Sequence, residues 1–387
     1  MTYFQLPKSC PDIYRYLQCI PDISSNSTAK ISESLEFYLS DIKERIKQHN
    51  IDWDNYKKYT NPYEYIHSYV PHTKRSIAKY KPLSRSYFKM IELLNIFHLD
   101  KINHSIRTFH LAEGPGGFIE ALVYTRKRQD DKYIGMTLLD DHNDENIPAW
   151  KKSSHFLNTH KNIIIETGQD KTGNILSLHN FLFCKQKYES SMDIITADGG
   201  FDFSIDFNNQ EKNMARLLFA QIAFALCLQA KNGSFILKVF DCFNESTIDL
   251  LYLLSAFYKK VYIVKPKTSR YANSEKYIVC KGFMYENTSL FFEYIKTTFI
   301  SMLSIPTNMH IKRFFSNIEI PLHFLTKLED CNSIFGQQQI ENIHYTLYLI
   351  DIKSQTDKID TIIQNNIQKC VQWCLTNNVQ YNSGFNV

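Results

Sequence analysis

Thr108-Phe109-His110-Leu111-Ala112-Glu113-Gly114-Pro115-Gly116-Gly117-Phe118 is the stretch on which the fold turns. An apolar run ends in a glycine-proline turn, and residues 118–127 then take up helical spacing. Strand, tight turn and helix in this order place backbone N–H groups at the end of a strand, where glycines let a ligand come close. A nicotinamide enzyme would carry G-x-G-x-x-G here, and that pattern is absent.

Working outward, further short apolar runs occur at 133–138, 162–165, 192–197, 234–239, 261–264 and 277–283. Helical spacing fills 87–97, 213–231 and 245–258. Such alternation predicts an α/β fold, a parallel sheet with helices on both faces. Ligands of these sheets bind outside the carboxyl ends of the strands, so the residues just after each strand carry the function.

The flanks read differently. Residues 32–48 predict one helix, with Leu35, Tyr38, Leu39, Ile42 and Ile46 at helical spacing. Residues 57–89 hold eight Lys or Arg, one acid (Glu64) and six tyrosines. Cations among aromatic faces suit single-stranded RNA, while a solvated helix with its tyrosines packed inward is the plainer reading. The tail is helical by spacing, through Ile340, Ile343 and Leu347, then Ile359, Ile363, Ile367 and Val371. The chain therefore divides into a partly helical extension (1–82), a central domain (83–286) and a helical region (287–387).

With 387 residues, 44% hydrophobic and 22% charged, the composition is that of a soluble globular protein with ample core. Nine cysteines without a C-x-x-C pair point to a reducing, cytoplasmic setting rather than a disulfide framework or zinc ribbon. Cys370 and Cys374 lie one helical turn apart with no histidine near in sequence, so they read as core residues and no metal is expected. Residues 1–9 lack a secretory pattern. The apolar run 215–230 is broken by Arg216, Gln221 and Gln229 and predicts a buried helix, not a membrane span. A net charge of +4 permits an anionic partner without requiring one.

Three further segments sit at the ligand edge. Ala197-Asp198-Gly199-Gly200 places a carboxylate after its strand. Lys238 lies within Ile236-Leu237-Lys238-Val239-Phe240, and a lone buried lysine costs several kcal/mol unless paired. Lys265-Pro266-Lys267-Thr268-Ser269-Arg270-Tyr271-Ala272-Asn273-Ser274-Glu275-Lys276-Tyr277 is a basic loop leading into the last strand.

Together with Ser84-Arg85-Ser86-Tyr87-Phe88-Lys89, this loop resembles the FtsJ-like family of ribose 2′-O-methyltransferases. The resemblance implies a Rossmann-like class I S-adenosylmethionine-dependent methyltransferase sheet and a catalytic tetrad of Lys89, Asp198, Lys238 and Glu275. It also implies that Glu113, Gly114, Pro115, Gly116, Gly117 and Phe118 hold S-adenosyl-L-methionine, with Glu113 near its ammonium group. Asp140 would meet the ribose hydroxyls, with Asp141 as its alternative, Asp170 the adenine in preference to Glu166, and Asp198 would serve both cofactor and catalysis. His110 and Ala112 replace the acid and glycine usual in bacterial members, while Gly135-Met136-Thr137-Leu138 and Gly168-Gln169-Asp170-Lys171-Thr172-Gly173-Asn174-Ile175 resemble the cap-specific branch of eukaryotes and viruses. Both flanks, and a composition rich in Asn, Lys, Ile, Tyr and Phe, resemble proteins of large cytoplasmic DNA viruses.

The implied substrate is RNA, above all the first nucleotides of capped mRNA. A ribosomal-RNA methyltransferase and a non-catalytic RNA-binding scaffold of the same fold are the competing expectations. A capping enzyme or an RNA polymerase would be a natural partner, and no motif reads out either.

Overall fold

The computed structural model of the chain describes residues 2–23, 30–139, 149–200 and 209–385. Among them are ten strands: β1 (Tyr3–Gln5), β2 (Leu17–Pro21), β3 (Arg107–Leu111), β4 (Lys132–Met136), β5 (Ile163–Ile165), β6 (Met192–Ala197), β7 (Gln229–Val239), β8 (Tyr258–Val264), β9 (Lys276–Phe283) and β10 (Ile311–Phe315). The helices are α1 (Glu33–Ile46), α2 (Asn50–Thr60), α3 (Ser86–Phe97), α4 (Gly117–Arg126), α5 (Ser154–Thr159), α6 (Leu178–Tyr188), α7 (Gln210–Leu228), α8 (Glu245–Phe257), α9 (Phe292–Ser304), α10 (Leu322–Asp351) and α11 (Thr356–Thr376). No helix among the described residues is long and apolar enough to cross a membrane.

Eight strands form one sheet in the order β1-β8-β9-β7-β6-β3-β4-β5. Strands β3 to β7 are mutually parallel, as the alternation predicts. The sheet is nevertheless mixed, because β9 runs antiparallel to both β7 and β8 and fills the place between them. The connection from β8 to β9 contains no helix, and a parallel return needs a longer crossover, so the chain comes back antiparallel. β1 was not legible as a strand, being three residues long, and it pairs antiparallel with β8 at the sheet edge. β2 and β10 form a separate two-stranded sheet that was likewise not expected.

Alternation along β7 sorts its side chains between two cores. Phe235, Leu237 and Val239 join the core shared with α7 and α8, whereas Ile236 joins the one shared with α3 and α4. Lys238 follows the parity of Ile236 and therefore faces the α3 side, as do Tyr277 and Val279 of β9. The run expected to be a buried helix is α7, and Cys370 and Cys374 are buried core residues of α11.

The two ends of the chain meet. Asn342 and Asn366 of α10 and α11 donate to the carbonyls of Thr60 and Tyr59 at 2.9 and 2.7 Å, and Ala78 bridges to Tyr381. Segment 57–89 is no continuous helix: α2 ends at Thr60, a 3-10 turn spans Glu64–Ile66, and irregular chain leads to α3. Its tyrosines divide, Tyr65 and Tyr87 being buried while Tyr69 and Tyr80 stay exposed beside the exposed Lys74, Arg75, Lys79 and Lys81.

Candidate active site

β3 ends at a turn in which Ala112 and Gly116 adopt left-handed backbone conformations, with φ of 52° and 101°. Glu113 is buried at its centre. Its Oε1 accepts from the N–H groups of Phe118 and Ile119 at 2.6 and 3.0 Å, taking up donors that open α4. Its Oε2 accepts from the Thr196 hydroxyl at 2.8 Å and lies 3.0 Å from His110 Nδ1. Both oxygens thus accept from within the protein: Glu113 caps α4 and ties the turn to β3 and β6.

The glycines also admit protein. A Cβ on Gly117 would collide with Ser84 and Ser86, and one on Gly114 with the carbonyl of Ala149. Gly116, Gly117 and Phe118 are buried beneath the turn, whereas Ala112, Gly114 and Pro115 are half-buried. Phe118 is buried, with its ring 5.9 Å from that of Tyr277. Asp140 lies outside the described residues. Asp170 is exposed, and its carboxylate accepts from Thr172, Ser177 and Asn180. Its slight burial acts the other way, yet these donors hold its pKa well below the usual carboxylate range. They make it the organiser of the 170–180 loop.

The four residues expected to form a tetrad come together as two ion pairs. Lys89 Nζ of α3 sits 2.7 Å from Glu275 Oε1 and 2.8 Å from Oε2. Lys238 Nζ of β7 lies 3.4 Å from Asp198 Oδ1 and donates to the Asp198 carbonyl at 2.7 Å. All four side chains are about nine-tenths buried, at 9–12% exposure. Burial pushes the Glu275 carboxyl up, but Lys89 and Lys238 outweigh it, together with donors from Lys89 and Ser269, and hold it well below its ordinary value.

Sequence reasoning passed over Tyr277, whose hydroxyl donates to Asp198 Oδ1 at 2.8 Å. Burial first, then Asp198 and Glu275, keep that hydroxyl protonated far above its ordinary range. The period-two alternation of β9, with Val279 inward, was the signal that would have put Tyr277 on this face. Also unread were the supports of the 265–275 loop. Ser269 Oγ donates to Glu275 Oε1 at 2.6 Å, and buried Lys265 donates to the carbonyls of Asn273 and Glu275 at 2.6 and 2.9 Å. Glu92, buried on α3, accepts from the N–H groups of Lys267 and Thr268 and from Trp373 Nε1 of α11.

With this geometry in view, the comparison with known families is specific: residues 82–283 match the FtsJ-like methyltransferase model, which is just over half of the chain. The chain belongs to the FtsJ-like methyltransferase family. It is 28% identical over 379 residues to cap-specific mRNA (nucleoside-2′-O-)-methyltransferase 2 of Pongo abelii, a match covering 91% of this chain and 46% of that one. It is 36% identical over 175 residues to cap-specific mRNA (nucleoside-2′-O-)-methyltransferase 1 of Bos taurus, covering 44% of this chain and 20% of that one. This FtsJ-like chain therefore spans less than half the length of these curated relatives. Among solved structures, human methyltransferase-like protein 13 in complex with S-adenosylhomocysteine aligns with a TM-score of 0.34 at 12% identity, covering 57% of this chain and 91% of that one.

Proposed function

We propose that this chain is an S-adenosylmethionine-dependent RNA ribose 2′-O-methyltransferase that modifies the first transcribed nucleotides of capped mRNA. The observation that carries the reading is the meeting of Lys89–Glu275 with Lys238–Asp198 at the carboxyl ends of β6 and β7. The names of the relatives support the capped substrate.

The residues at this edge fit the cofactor. Leu138, just past β4, leaves 42% of its surface exposed to lie against a purine. Ala112, Gly114 and Pro115 present half-buried backbone, and Asp198, whose side chain keeps 12% of its surface exposed, provides a carboxylate for a cationic amino-acid end. Asp170 would serve the base through its loop rather than through a free carboxylate. When bound, S-adenosylmethionine supplies a methyl group already activated by its sulfonium.

The protein's own task is to align a weak nucleophile, a ribose 2′-hydroxyl, and to manage its proton. Lys238 would hold the 2′-oxygen with its ammonium and steady the charge that develops as the oxygen takes the methyl group and its own proton leaves to solvent. Asp198 keeps that ammonium in place, and Tyr277 keeps Asp198 in place. Lys89, fixed by Glu275, adds a second positive charge beside the reacting oxygen.

The same reading puts the protein in the cytoplasm as the product of a large DNA virus. What supports this is the Asn-, Lys-, Ile-, Tyr- and Phe-rich composition and the form of the flanks, whereas the relatives named above are animal proteins.

Transfer of labelled methyl from S-adenosylmethionine to short RNAs tests the proposal, with N7-methylguanosine-capped, uncapped and ribosomal-RNA fragments in parallel. Label on the ribose of capped RNA alone is expected. Equal labelling of ribosomal fragments would favour the ribosomal alternative, and binding of RNA without transfer would favour a scaffold.

A further inference from the structure

Glu64 is the single acid among the cations of residues 57–89, it lies outside the 82–283 family match, and it is 1% exposed. Two arginines close on it. Arg270 donates from Nε to Oε2 at 3.0 Å and from Nη2 to Oε1 at 2.7 Å, a two-pronged hold. Arg85 donates from Nη1 to Oε2 at 3.4 Å and from Nη2 to the Thr268 carbonyl at 3.1 Å. Asn61 and Ser68 supply the remaining donors at 2.7 and 2.8 Å. Burial works against its charge, but the arginines prevail, and its carboxyl stays ionised well below the ordinary range.

Both arginines belong to the segments that carry the tetrad. Arg85 is one helical turn before Lys89, and Arg270 is next to Ser269, which holds Glu275. Each keeps part of its side chain at the surface, 27% for Arg85 and 30% for Arg270. Two guanidiniums on one carboxylate leave a net positive charge, fixed in direction, beside the reacting groups.

We propose that Glu64 is a positioning residue for methyl transfer: it holds Arg85 and Arg270 so that their outward N–H edges receive a phosphodiester group of the RNA substrate. The inference rests on the function proposed above. Its sign is decisive. If the arginines acted through charge alone, removing a neighbouring negative charge would tighten RNA binding. A positioning role predicts the reverse, because unheld guanidiniums must be ordered when the substrate binds.

The experiment is steady-state transfer to capped RNA by the full chain at saturating S-adenosylmethionine, with RNA varied. Glu64→Gln is expected to raise the RNA KM about tenfold or more, the scale of one charge-assisted hydrogen bond, and to leave kcat within about threefold. Glu64→Asp, which keeps the charge on a shorter arm, should recover part of that loss. Glu64→Gln combined with Arg270→Gln should lose less than the sum of the two single losses, since Glu64 acts partly through Arg270 and partly through Arg85. An unchanged or lower KM for Glu64→Gln, or additive losses in the double variant, would overturn the proposal. Should Glu64→Gln not fold, Arg270→Lys takes its place: it keeps the charge but loses the paired N–H edge, and a wild-type KM would overturn the proposal equally. A wild-type protein that transfers no methyl to RNA would overturn the functional reading along with it, whereas active wild type with indifferent variants would overturn this inference alone.

Discussion

Tyr277 and Lys238 are direct cross-strand partners on β9 and β7, and both reach the same residue, Asp198, from the same face of the sheet. The antiparallel insertion of β9 is what makes this possible, since it brings the strand that follows Glu275 alongside the strand that carries Lys238. Tyr277→Phe removes one hydrogen bond to a charged acceptor, typically about 1.5–3 kcal/mol. Single-turnover transfer should fall roughly tenfold with the fold intact by circular dichroism. A phenylalanine variant with wild-type turnover would reduce Tyr277 to a packing residue.

Lys238→Arg tests the centre of the proposed chemistry. Arginine keeps the charge but is bulkier and planar, so it cannot set an N–H at the same point on the 2′-oxygen. Methyl transfer should drop at least ~100-fold, the lower end for loss of a donor aimed at developing oxygen charge. S-adenosylmethionine affinity, followed by calorimetry, should stay near wild type. Retained turnover would mean that only charge is required at this position.

Glu113→Ala would leave the α4 N–H groups of Phe118 and Ile119 without their acceptor and reduce the buried His110 and Thr196 to bonds with each other and with Thr108. The loss should exceed about 2 kcal/mol in urea denaturation. A variant of wild-type stability that had lost cofactor affinity would give Glu113 a ligand-binding role instead.

Lys265 carries a pH signature. Burial chiefly, with Lys276 and Lys89 adding to it against Glu275 and Asp241, pushes its ammonium down to about 7 from its ordinary 10.5. Between these two values the unfolded chain binds the extra proton, so this residue makes stability rise with pH across that window. Below it the folded chain must carry a buried charge, and the contribution is at its least favourable. Thermal unfolding of Lys265→Met should show a shallower rise than wild type over that range; parallel curves would show that Lys265 is not the titrating group.

Lys74 and Arg75 are exposed on the irregular chain before α3. Removing both charges should weaken RNA binding and lower its salt slope by roughly one to two counterions. Cofactor affinity should not change. Identical salt slopes would make this segment a solvated face.

The sheet was legible because its strands are nearly uniform apolar runs such as Met192-Asp193-Ile194-Ile195-Thr196-Ala197, separated by helical periodicity. The gathering of Lys89, Asp198, Lys238 and Glu275 was legible because buried Lys238 and the Ser84–Lys89 and Lys265–Tyr277 motifs are specific in residue type and spacing. The direction of β9 was not, since apolar alternation is the same for either polarity and only the lack of a helix between β8 and β9 distinguishes them. The capping of α4 by Glu113 was not legible, because a carboxylate in a glycine turn reads alike whether it faces a ligand or a helix end. Glu64 and Glu92 were hidden for a different reason: their partners lie 206 and 175 residues away, at Arg270 and Lys267.

β1 is only three residues long, but it covers β8, whose Tyr262, Ile263 and Val264 would otherwise present an open backbone edge. Such an edge templates pairing between molecules. An affinity tag joined at the amino terminus that drew residues 3–5 away from β8 would therefore cost little catalytic geometry and much solubility. Aggregation of an amino-terminally tagged preparation would report a lost strand rather than a misfolded core, and moving the tag to the other end would be the remedy.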